Sequence, residues 1–384
     1  MTELETKKLS TTIKVKILSR GLRFDRSALK LVDGRVKEEH RGYDDSNWGI
    51  DKKTPVPSEL MLPGKITACT HIRPTSNLLV QAENGRLFIF EDRKVVSEIY
   101  YLPRPKIWNM QTSSGINMKR IANFYGRNCL NFNIYSGCEF WDIGLPCKFC
   151  SVKPTQERYG EVEKKKYPQQ IAEVTKAAFA LNKPKIDFIL VTGGSYLDGD
   201  EETKKIIEVL EIIQPLTPWK DKIRGNTALM PPKNFGLIDK LMATNIEHPS
   251  FNLEVWGKNK FKEICPGKEK YRGWNHTMQC YKYAVKKFGR GVFWCNFVAG
   301  INKLDELKEG FAKMAELGVV PGANVFHPDV GAILGQQMKS PPEDYIIKLY
   351  RFVAKLYHKY KYLPFFNEKV LRNSLANEAY NGWL

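Results

Sequence analysis

The chain has 384 residues, 42% hydrophobic and 12% aromatic, which allows one large folded domain or a large domain with a smaller one. The 60 Lys and Arg against 42 Asp and Glu leave a net charge of +18, a surface that attracts polyanions or an anionic small substrate. No long uncharged apolar run is present and the opening MTELETKKLS lacks the apolar stretch of a signal peptide, so we expect a cytoplasmic protein without a membrane span.

The positive charge does not by itself identify a nucleic-acid-binding protein. Runs such as Lys164-Lys165-Lys166 border predicted helices, and the sequence shows neither an Arg-Gly-Gly tract nor a helix-turn-helix pattern. A solvated, Lys-rich surface gives the same net charge. Nucleic-acid binding therefore stays an alternative that the sequence does not favour.

Residues 1–126 have the pattern of a β-rich accessory domain. TIKVKIL alternates apolar and polar residues, which predicts a strand. NLLVQAENGRLFIF has two strand-like runs around Glu83-Asn84-Gly85, which predicts a hairpin, and KVVSEIYYL predicts a further strand. No catalytic constellation occurs here, so we expect this part to cover one face of the domain that follows.

From about residue 127, short apolar strands alternate with amphipathic helices. Strands are predicted at 129–135, 186–192, 222–227, 251–256, 291–300 and 319–326, and helices at 168–181, 200–214, 234–244, 276–289, 304–318 and 341–360. This alternation is typical of parallel βαβ units and predicts an α/β fold, a partial (β/α)6 barrel of the TIM type over residues 127–335. Residues 336–384 would form a helical C-terminal segment that packs on the barrel.

Active sites of such barrels lie at the carboxyl ends of the strands, and a cluster of Cys138, Cys147 and Cys150 directly follows the first predicted strand. The other cysteines are scattered singly, which is not a disulfide framework. Thiolates are soft ligands that suit zinc or an iron–sulfur cluster. Zinc would need a fourth ligand, and none of the 6 His has finger-like spacing from the cysteine pair. Three thiolates on a [4Fe–4S] cluster would leave one iron open.

The cysteine loop resembles the cluster loop of radical S-adenosylmethionine (SAM) enzymes, and residues 130–335 are most similar to their biotin synthase-like branch. In that family a C-x3-C-x2-C loop holds a [4Fe–4S] cluster whose fourth iron binds SAM, and an aromatic residue precedes the last cysteine. Cys147-Lys148-Phe149-Cys150 matches this pattern, whereas the gap of eight residues after Cys138 is longer than usual. The resemblance implies that Cys138, Cys147 and Cys150 are the metal ligands and that Phe149 lies beside the cofactor.

The resemblance also implies SAM-binding residues at the ends of later strands. Thr192-Gly193-Gly194-Ser195 stands where the family has a Gly-Gly-Glu stretch whose backbone meets the amino group of SAM, with Ser195 replacing the Glu. An ordinary strand-to-helix turn would explain the two glycines equally well. The remaining expected contacts are Asn226, Glu254, Arg272, Val298 and Phe326.

Asn226, on the third predicted strand, is expected to line the cavity. Glu254 lies in an apolar strand, where an unpaired charge is costly, so we expect it to face a polar cavity and bind the ribose or the methionine part of SAM. Lys270 and Arg272 are candidates for the SAM carboxylate, and Val298 and Phe326 for contacts with adenine. His327 follows the sixth strand and is either an acid/base catalyst or a hydrogen-bonded histidine at the barrel mouth.

The implied function is that of an enzyme in which a reduced cluster cleaves SAM to a 5′-deoxyadenosyl radical. The radical would abstract hydrogen from a small metabolite or a cofactor precursor, leading to rearrangement, cleavage or carbon–carbon bond formation. An electron donor such as ferredoxin or flavodoxin would be a partner. Two alternatives stay open: radical SAM modification of tRNA, and a zinc- or RNA-binding protein without radical chemistry.

Overall fold

The computed structural model describes residues 1–38, 56–159 and 163–384. The elements of its first part are α1 (Glu3–Arg20), β1 (Arg23–Phe24), α2 (Arg26–Leu29), β2 (Glu59–Leu62), β3 (Ile66–Cys69), β4 (Leu78–Glu83), β5 (Arg86–Glu91) and β6 (Lys94–Tyr101). The strands form a mixed sheet of order β1-β4-β5-β6-β2-β3, in which β1 runs parallel to β4 and the other pairs are antiparallel. The predicted hairpin is present, since β4 and β5 pair up to Glu83 and Arg86 around Asn84 and Gly85, both at positive φ.

The stretch TIKVKIL is helical, so the strand predicted for it is wrong. It lies within α1, whose start is fixed by a capping box: the Glu5 N–H donates to Thr2 Oγ1 at 3.2 Å and the Thr2 N–H donates to Glu5 Oε2 at 2.7 Å. Lys14 of α1 is fully buried, so a polar residue in this stretch does not mark a solvent-facing position. Two faces of α1 are covered, because Ile13 and Ile17 join the core of the first sheet and Val15 and Leu18 join the core of the barrel.

The strands of the second sheet are β7 (Asn123–Tyr125), β8 (Cys129–Asn133), β9 (Phe188–Thr192), β10 (Ile223–Ala228), β11 (Ile246–Ser250), β12 (Trp294–Ala299) and β13 (Val320–Val325). Their order in the sheet is β13-β12-β11-β10-β9-β8-β7. Strands β8 to β13 are parallel neighbours in chain order, and β7 is an antiparallel strand at the edge. This is the predicted partial (β/α)6 barrel, with β7 added before its first strand.

The helices after β8 cover the barrel and end the chain. They are α3 (Glu139–Asp142), α4 (Val152–Tyr159), α5 (Pro168–Leu181), α6 (Gly199–Ile213), α7 (Gly236–Ala243), α8 (Lys258–Ile264), α9 (Pro266–Tyr271), α10 (Trp274–Phe288), α11 (Leu304–Leu317), α12 (Glu343–Tyr360) and α13 (Ala376–Tyr380). Within the described ranges, no helix combines the length and the apolar character needed to cross a bilayer.

The fourth barrel strand lies earlier than predicted. It is β11, which carries His248 and Pro249, and the apolar stretch 251–256 follows it as a loop. β11 pairs with both neighbours only up to Ser250, after which the chain leaves the ladder at the mouth of the barrel. Glu254 then adopts a φ of +66°, and its N–H donates to Asn296 O at 3.1 Å. The loop therefore brings the Glu254 side chain to the catalytic end of the barrel.

Residues 364–374, which we call the C-terminal strap, lie across the open side of the barrel between its two edge strands. On one side, Val325 at the end of β13 donates its N–H to Asn373 O at 2.9 Å. On the other, Arg127 donates to Lys369 O at 2.9 Å and Cys69 of the first sheet donates to Arg372 O at 2.9 Å. The strap thus closes the gap that a six-stranded barrel leaves and joins it to the first sheet.

Candidate active site

A cavity of about 770 Å³ opens at the carboxyl ends of the barrel strands. All three clustered cysteines line it. So do most of the other predicted site residues: Phe149, Thr192, Gly193, Gly194, Ser195, Asn226, Glu254, Val298, Phe326 and His327. The strap lines the opposite wall. The structure therefore gathers residues that are almost two hundred positions apart in sequence around one space.

The cysteine loop is held by close backbone contacts with the glycine pair after β9. Gly194 donates its N–H to Tyr135 O at 2.8 Å, and Glu139 donates its N–H to Ser195 O at 2.9 Å. A side chain at Gly194 would place its Cβ 1.5 Å from Gly137 O and 2.9 Å from Cys138 Cβ. The glycine pair is therefore needed for the position of Cys138, a structural use that ordinary turn geometry does not require.

We predict that Gly194→Ala displaces the cysteine loop, because the added methyl group would overlap the Gly137 carbonyl oxygen. Iron incorporated under anaerobic reconstitution should fall at least tenfold below that of the wild type. Gly34→Ala is the control, because a Cβ there meets no atom within 4 Å. Normal iron content in the Gly194 variant would show that the loop does not depend on this contact.

Burial keeps the cysteine thiols protonated in the absence of metal. Burial raises the pKa of Cys150 to about 12 and also raises the pKa of Cys138. Contact with the Cys265 thiol, together with burial, raises the pKa of Cys147 well above its ordinary value. Metal binding therefore has to displace protons from all three. Among the residues that the structure describes, no three His, Cys, Asp or Glu side chains lie close enough together to hold one metal ion.

Glu254 forms a partly buried ion pair with Lys268. Lys268 Nζ lies 2.7 Å from Glu254 Oε1 and donates to Asn252 O at 3.1 Å. Burial lowers the pKa of Lys268, but the attraction of Glu254 and of nearby thiols outweighs it and raises the pKa overall. Both side chains line the cavity next to the cysteine loop. A facing cation and anion are complementary to a zwitterion.

The other strand ends meet the cavity with polar or backbone groups. Thr192 Oγ1 donates to Ala228 O at 3.2 Å, and the Asn226 amide donates to His248 O. Val298 donates its N–H to Glu254 O at 2.7 Å, and Phe326 donates its N–H to Ala299 O at 2.9 Å. Val298 is partly buried at the cavity wall and Phe326 is buried, so both offer apolar surface to a flat ligand.

His327 is oriented by a carboxylate. Its Nδ1 lies 2.8 Å from Asp329 Oδ1, and Ser151, next to the last clustered cysteine, donates to Asp329 Oδ2 at 3.0 Å. The His327 ring is 4.1 Å from the ring of His71, which follows β3 of the first sheet. With Nδ1 engaged by Asp329, Nε2 is the ring nitrogen available to a bound molecule.

Comparison with known proteins gives one curated relative and several solved structures. The curated relative is the bacteriochlorophyllide c C-7(1)-hydroxylase of Chlorobaculum limnaeum, 25% identical over 249 residues, with 61% of each chain covered. The chain thus spans about three fifths of that relative's length. No family model matches the chain.

The solved structures include a radical SAM methyltransferase from Sphaerobacter thermophilus, with 14% identity, a TM-score of 0.46, and 74% of this chain and 76% of that chain covered. They also include HydG, a maturase of the [FeFe]-hydrogenase, with 14% identity, a TM-score of 0.43, and coverages of 66% and 57%.

The segment 139–146 is where the chain departs from the usual radical SAM loop. Its first residues form the single-turn helix α3, and Leu145 folds back to donate its N–H to Phe140 O at 2.8 Å. Phe140 is buried, lines the cavity and packs on Tyr271 of α9 with ring centroids 5.7 Å apart. The longer gap therefore anchors the cysteine loop to α9, a contact that the sequence did not indicate.

Arg272 does not line the cavity, unlike the other predicted radical SAM site residues. Its buried guanidinium donates to Pro231 O at 2.9 Å and to Tyr271 O at 2.6 Å, and it packs against Gly199. These contacts tie α9 to the start of α6. Lys268, one helical turn earlier, is the cation at the cavity wall, and nothing in the Lys-rich sequence distinguished it from its neighbours.

Glu202 accepts a hydrogen bond from the backbone just after the glycine turn. Because burial raises its pKa, we expect the stability of the protein to depend on pH. Glu202 is buried and accepts hydrogen bonds from Tyr196 N at 3.0 Å and Met230 N at 2.8 Å, yet burial raises its pKa to about 7. The folded state therefore holds a proton between pH 4.5 and about 7 that the unfolded state has released. Stability should fall as the pH rises through this window, by on the order of 2–3 kcal/mol.

Urea unfolding of wild type and Glu202→Gln at pH 5 and pH 7 tests this expectation. The variant should be less stable at both values, because one of the two backbone donors loses its acceptor. Its stability should change less between them, since the titrating group is gone. An equal pH dependence in both proteins would show that other groups cause it.

Proposed function

We propose that the chain is a radical SAM enzyme that binds a [4Fe–4S] cluster through Cys138, Cys147 and Cys150. The observation that carries the proposal is that all three cysteines line one cavity with the other residues expected to bind SAM, except Arg272. The chemistry of the donors fits, since three thiolates satisfy three irons and leave the fourth for SAM. When bound, the cluster and SAM would supply a 5′-deoxyadenosyl radical for hydrogen abstraction.

The chain's own residues would hold SAM around the cluster loop. The backbone at Gly193 and Gly194 allows close approach, and the Glu254–Lys268 pair matches the amino and carboxylate groups of the methionine part. Val298 and Phe326 would pack on the adenine. The cavity is closed on one side by the strap, which keeps water from the reacting atoms.

The substrate in this proposal is a small molecule, either a metabolite or a cofactor precursor. A cavity of about 770 Å³ is within the range of small-ligand sites, and SAM would take part of it. His327, oriented by Asp329, would move a proton to or from the substrate at Nε2. The outcome would be rearrangement, cleavage or carbon–carbon bond formation, and the curated relative adds hydroxylation to these. The electron would come from a cytoplasmic ferredoxin or flavodoxin.

Anaerobic purification and reconstitution test the proposal. We expect a brown protein with about four irons per chain that yields 5′-deoxyadenosine from SAM when a reductant is supplied. A colourless protein that binds zinc tightly would overturn it. Formation of 5′-deoxyadenosine that rises only with tRNA would instead favour the tRNA-modifying alternative.

Lys268→Met provides a prediction specific to SAM binding. Loss of a charge-assisted hydrogen bond worth about 1.5–3 kcal/mol should raise the Kd for SAM by roughly 10- to 100-fold. Iron content should not change, because Lys268 is not a ligand. The matched control is Lys270→Met, since Lys270 is exposed two residues away. Equal SAM affinity in both variants would remove Lys268 from the site.

A further inference from the structure

The part of the cavity away from the cysteines is bounded by aromatic rings of the strap and of β12. Phe365 lies 4.1 Å from Trp294 in an edge-on arrangement and 4.1 Å from Phe366, measured between ring centroids. All three residues line the cavity. Such a wall favours a flat, unsaturated ligand.

Many of the polar side chains that line the cavity are neutral amides. Asparagines from several strands and from the strap line the cavity, among them Asn131, Asn133, Asn226, Asn296, Asn324 and Asn373. An amide both donates and accepts hydrogen bonds without carrying charge. A lining of this kind is suited to a ligand that has its own donors and acceptors.

The cations that line the cavity are already engaged. Each is within hydrogen-bonding distance of an acidic or hydroxyl group: Lys119 with Glu38 (3.1 Å), Arg120 with Glu163 (2.8 Å), Lys166 with Ser136 (2.6 Å), Lys268 with Glu254 (2.7 Å) and Arg372 with Glu59 (2.7 Å). Four of them have a carboxylate partner, which lowers their attraction for a further anion.

Three buried polar atoms at the wall have no hydrogen-bond partner among the described residues: Asn131 Oδ1, Asn373 Oδ1 and Trp294 Nε1. Asn373 donates its amide to Val325 O at 3.0 Å, which leaves its oxygen as an acceptor. Asn131 and Trp294 are almost fully buried, with 1% and 3% exposure. A buried polar group without a partner costs about 1–3 kcal/mol, which a complementary ligand would offset.

We propose that the space between Asn131, Trp294 and the strap binds an uncharged nitrogen heterocycle of one or two rings as the substrate. Its N–H group donates to Asn131 or Asn373, its ring acceptor takes the Trp294 N–H, and its face packs on Phe365. This inference rests on the proposed function, because it assigns the substrate of that same site. It differs from the anionic substrate that the charge of the whole chain suggests.

Isothermal titration calorimetry under anaerobic conditions tests the inference with three probes. They are benzimidazole, which has a ring N–H and a ring acceptor, 1-methylbenzimidazole, which lacks the N–H, and benzoate, which is anionic. The protein is reconstituted and saturated with SAM, at a pH where benzimidazole is neutral. We expect benzimidazole to bind at least tenfold more tightly than either of the other probes.

Substitutions test which residues distinguish benzimidazole from 1-methylbenzimidazole. Asn131→Leu and Asn373→Leu should bring the two benzimidazoles to within about threefold of each other, and Phe365→Ala should weaken both equally. Asn234→Ala, at an exposed position outside the cavity, should behave as the wild type. If Asn131→Leu does not fold, Asn373→Leu and the probe comparison on the wild type still decide.

The inference would be overturned if benzoate bound more tightly than benzimidazole or if none of the three probes bound. It would also be overturned if Asn373→Leu left the difference in affinity between the two benzimidazoles unchanged. Its failure is distinct from failure of the proposed function. A protein that holds iron and forms 5′-deoxyadenosine but does not discriminate among the probes contradicts only the substrate class. A protein that discriminates but holds no cluster contradicts only the radical chemistry.

Discussion

Cys147→Ala is expected to abolish the brown colour and to reduce iron from about four per chain to below one, with no 5′-deoxyadenosine formed. Cys147 lines the cavity together with Cys138 and Cys150, so its loss removes one of three ligands. A cluster with only two protein thiolates loses its anchoring. Iron analysis, visible absorbance and the electron paramagnetic resonance signal of the reduced protein measure the effect. Cys138→Ala and Cys150→Ala should behave alike.

Cys265→Ala is the matched control for this experiment. The Cys265 thiol contacts the Cys147 thiol, yet Cys265 is buried and does not line the cavity. Its removal should therefore leave iron content and 5′-deoxyadenosine formation unchanged. If Cys265→Ala loses the cluster while Cys138→Ala keeps it, the ligand set is Cys147, Cys150 and Cys265 instead, and the assignment of Cys138 is wrong.

The barrel could be predicted from the sequence because its strands are short apolar runs separated by helices with regular apolar spacing. Strands of a parallel sheet are buried on both faces, so a short continuous apolar run in the sequence directly indicates such a strand. The exception is β11. This strand contains the polar His248 and Pro249, and the more apolar stretch 251–256, which was predicted as the strand, follows it as a loop. Helix α1 was missed because Lys14 and Thr11 are buried by tertiary contacts, which local polarity cannot show.

The cysteine loop and the glycine turn could be predicted because both are local motifs whose chemistry depends on residue type and spacing. The Lys268 contact to Glu254, the Asp329 contact to His327 and the contribution of the strap depend on long-range packing. Lys268 lies within α9, whereas Arg272 follows the last residue of that helix, where the backbone has left helical geometry with a φ of −130°, so the two side chains meet different surroundings. Sequence spacing around a charged run does not contain this information.

Lys14→Met is expected to have the largest effect on stability, a loss of about 3–5 kcal/mol in the free energy of unfolding. Lys14 Nζ lies 2.6 Å from Glu378 Oε1, and both side chains have 0% exposure. Burial lowers the pKa of Lys14 and raises the pKa of Glu378, so desolvation opposes both charges and each depends on its partner. Removing one leaves the other buried and unpaired. Urea unfolding followed by circular dichroism measures the change.

Lys16→Met on the same helix is the control, because its pair with Glu91 is partly exposed, at 24% and 19%, and should cost about 0–1 kcal/mol. The double variant Lys14→Met/Glu378→Leu should recover most of the lost stability, since buried ion pairs exchange for apolar residues at little cost. If the double variant is as unstable as the sum of both single variants, the two residues act independently and the pair is not the cause.

The same pair should affect the active site, because Lys14 also donates a hydrogen bond to the carbonyl of Leu371 in the strap. The strap forms one wall of the cavity, so Lys14→Met should weaken the binding of molecules that contact Phe365 more than that of SAM. The double variant restores packing but not this hydrogen bond. Recovery of stability without recovery of benzimidazole binding would therefore separate the contribution of the ion pair to folding from its contribution to the shape of the site.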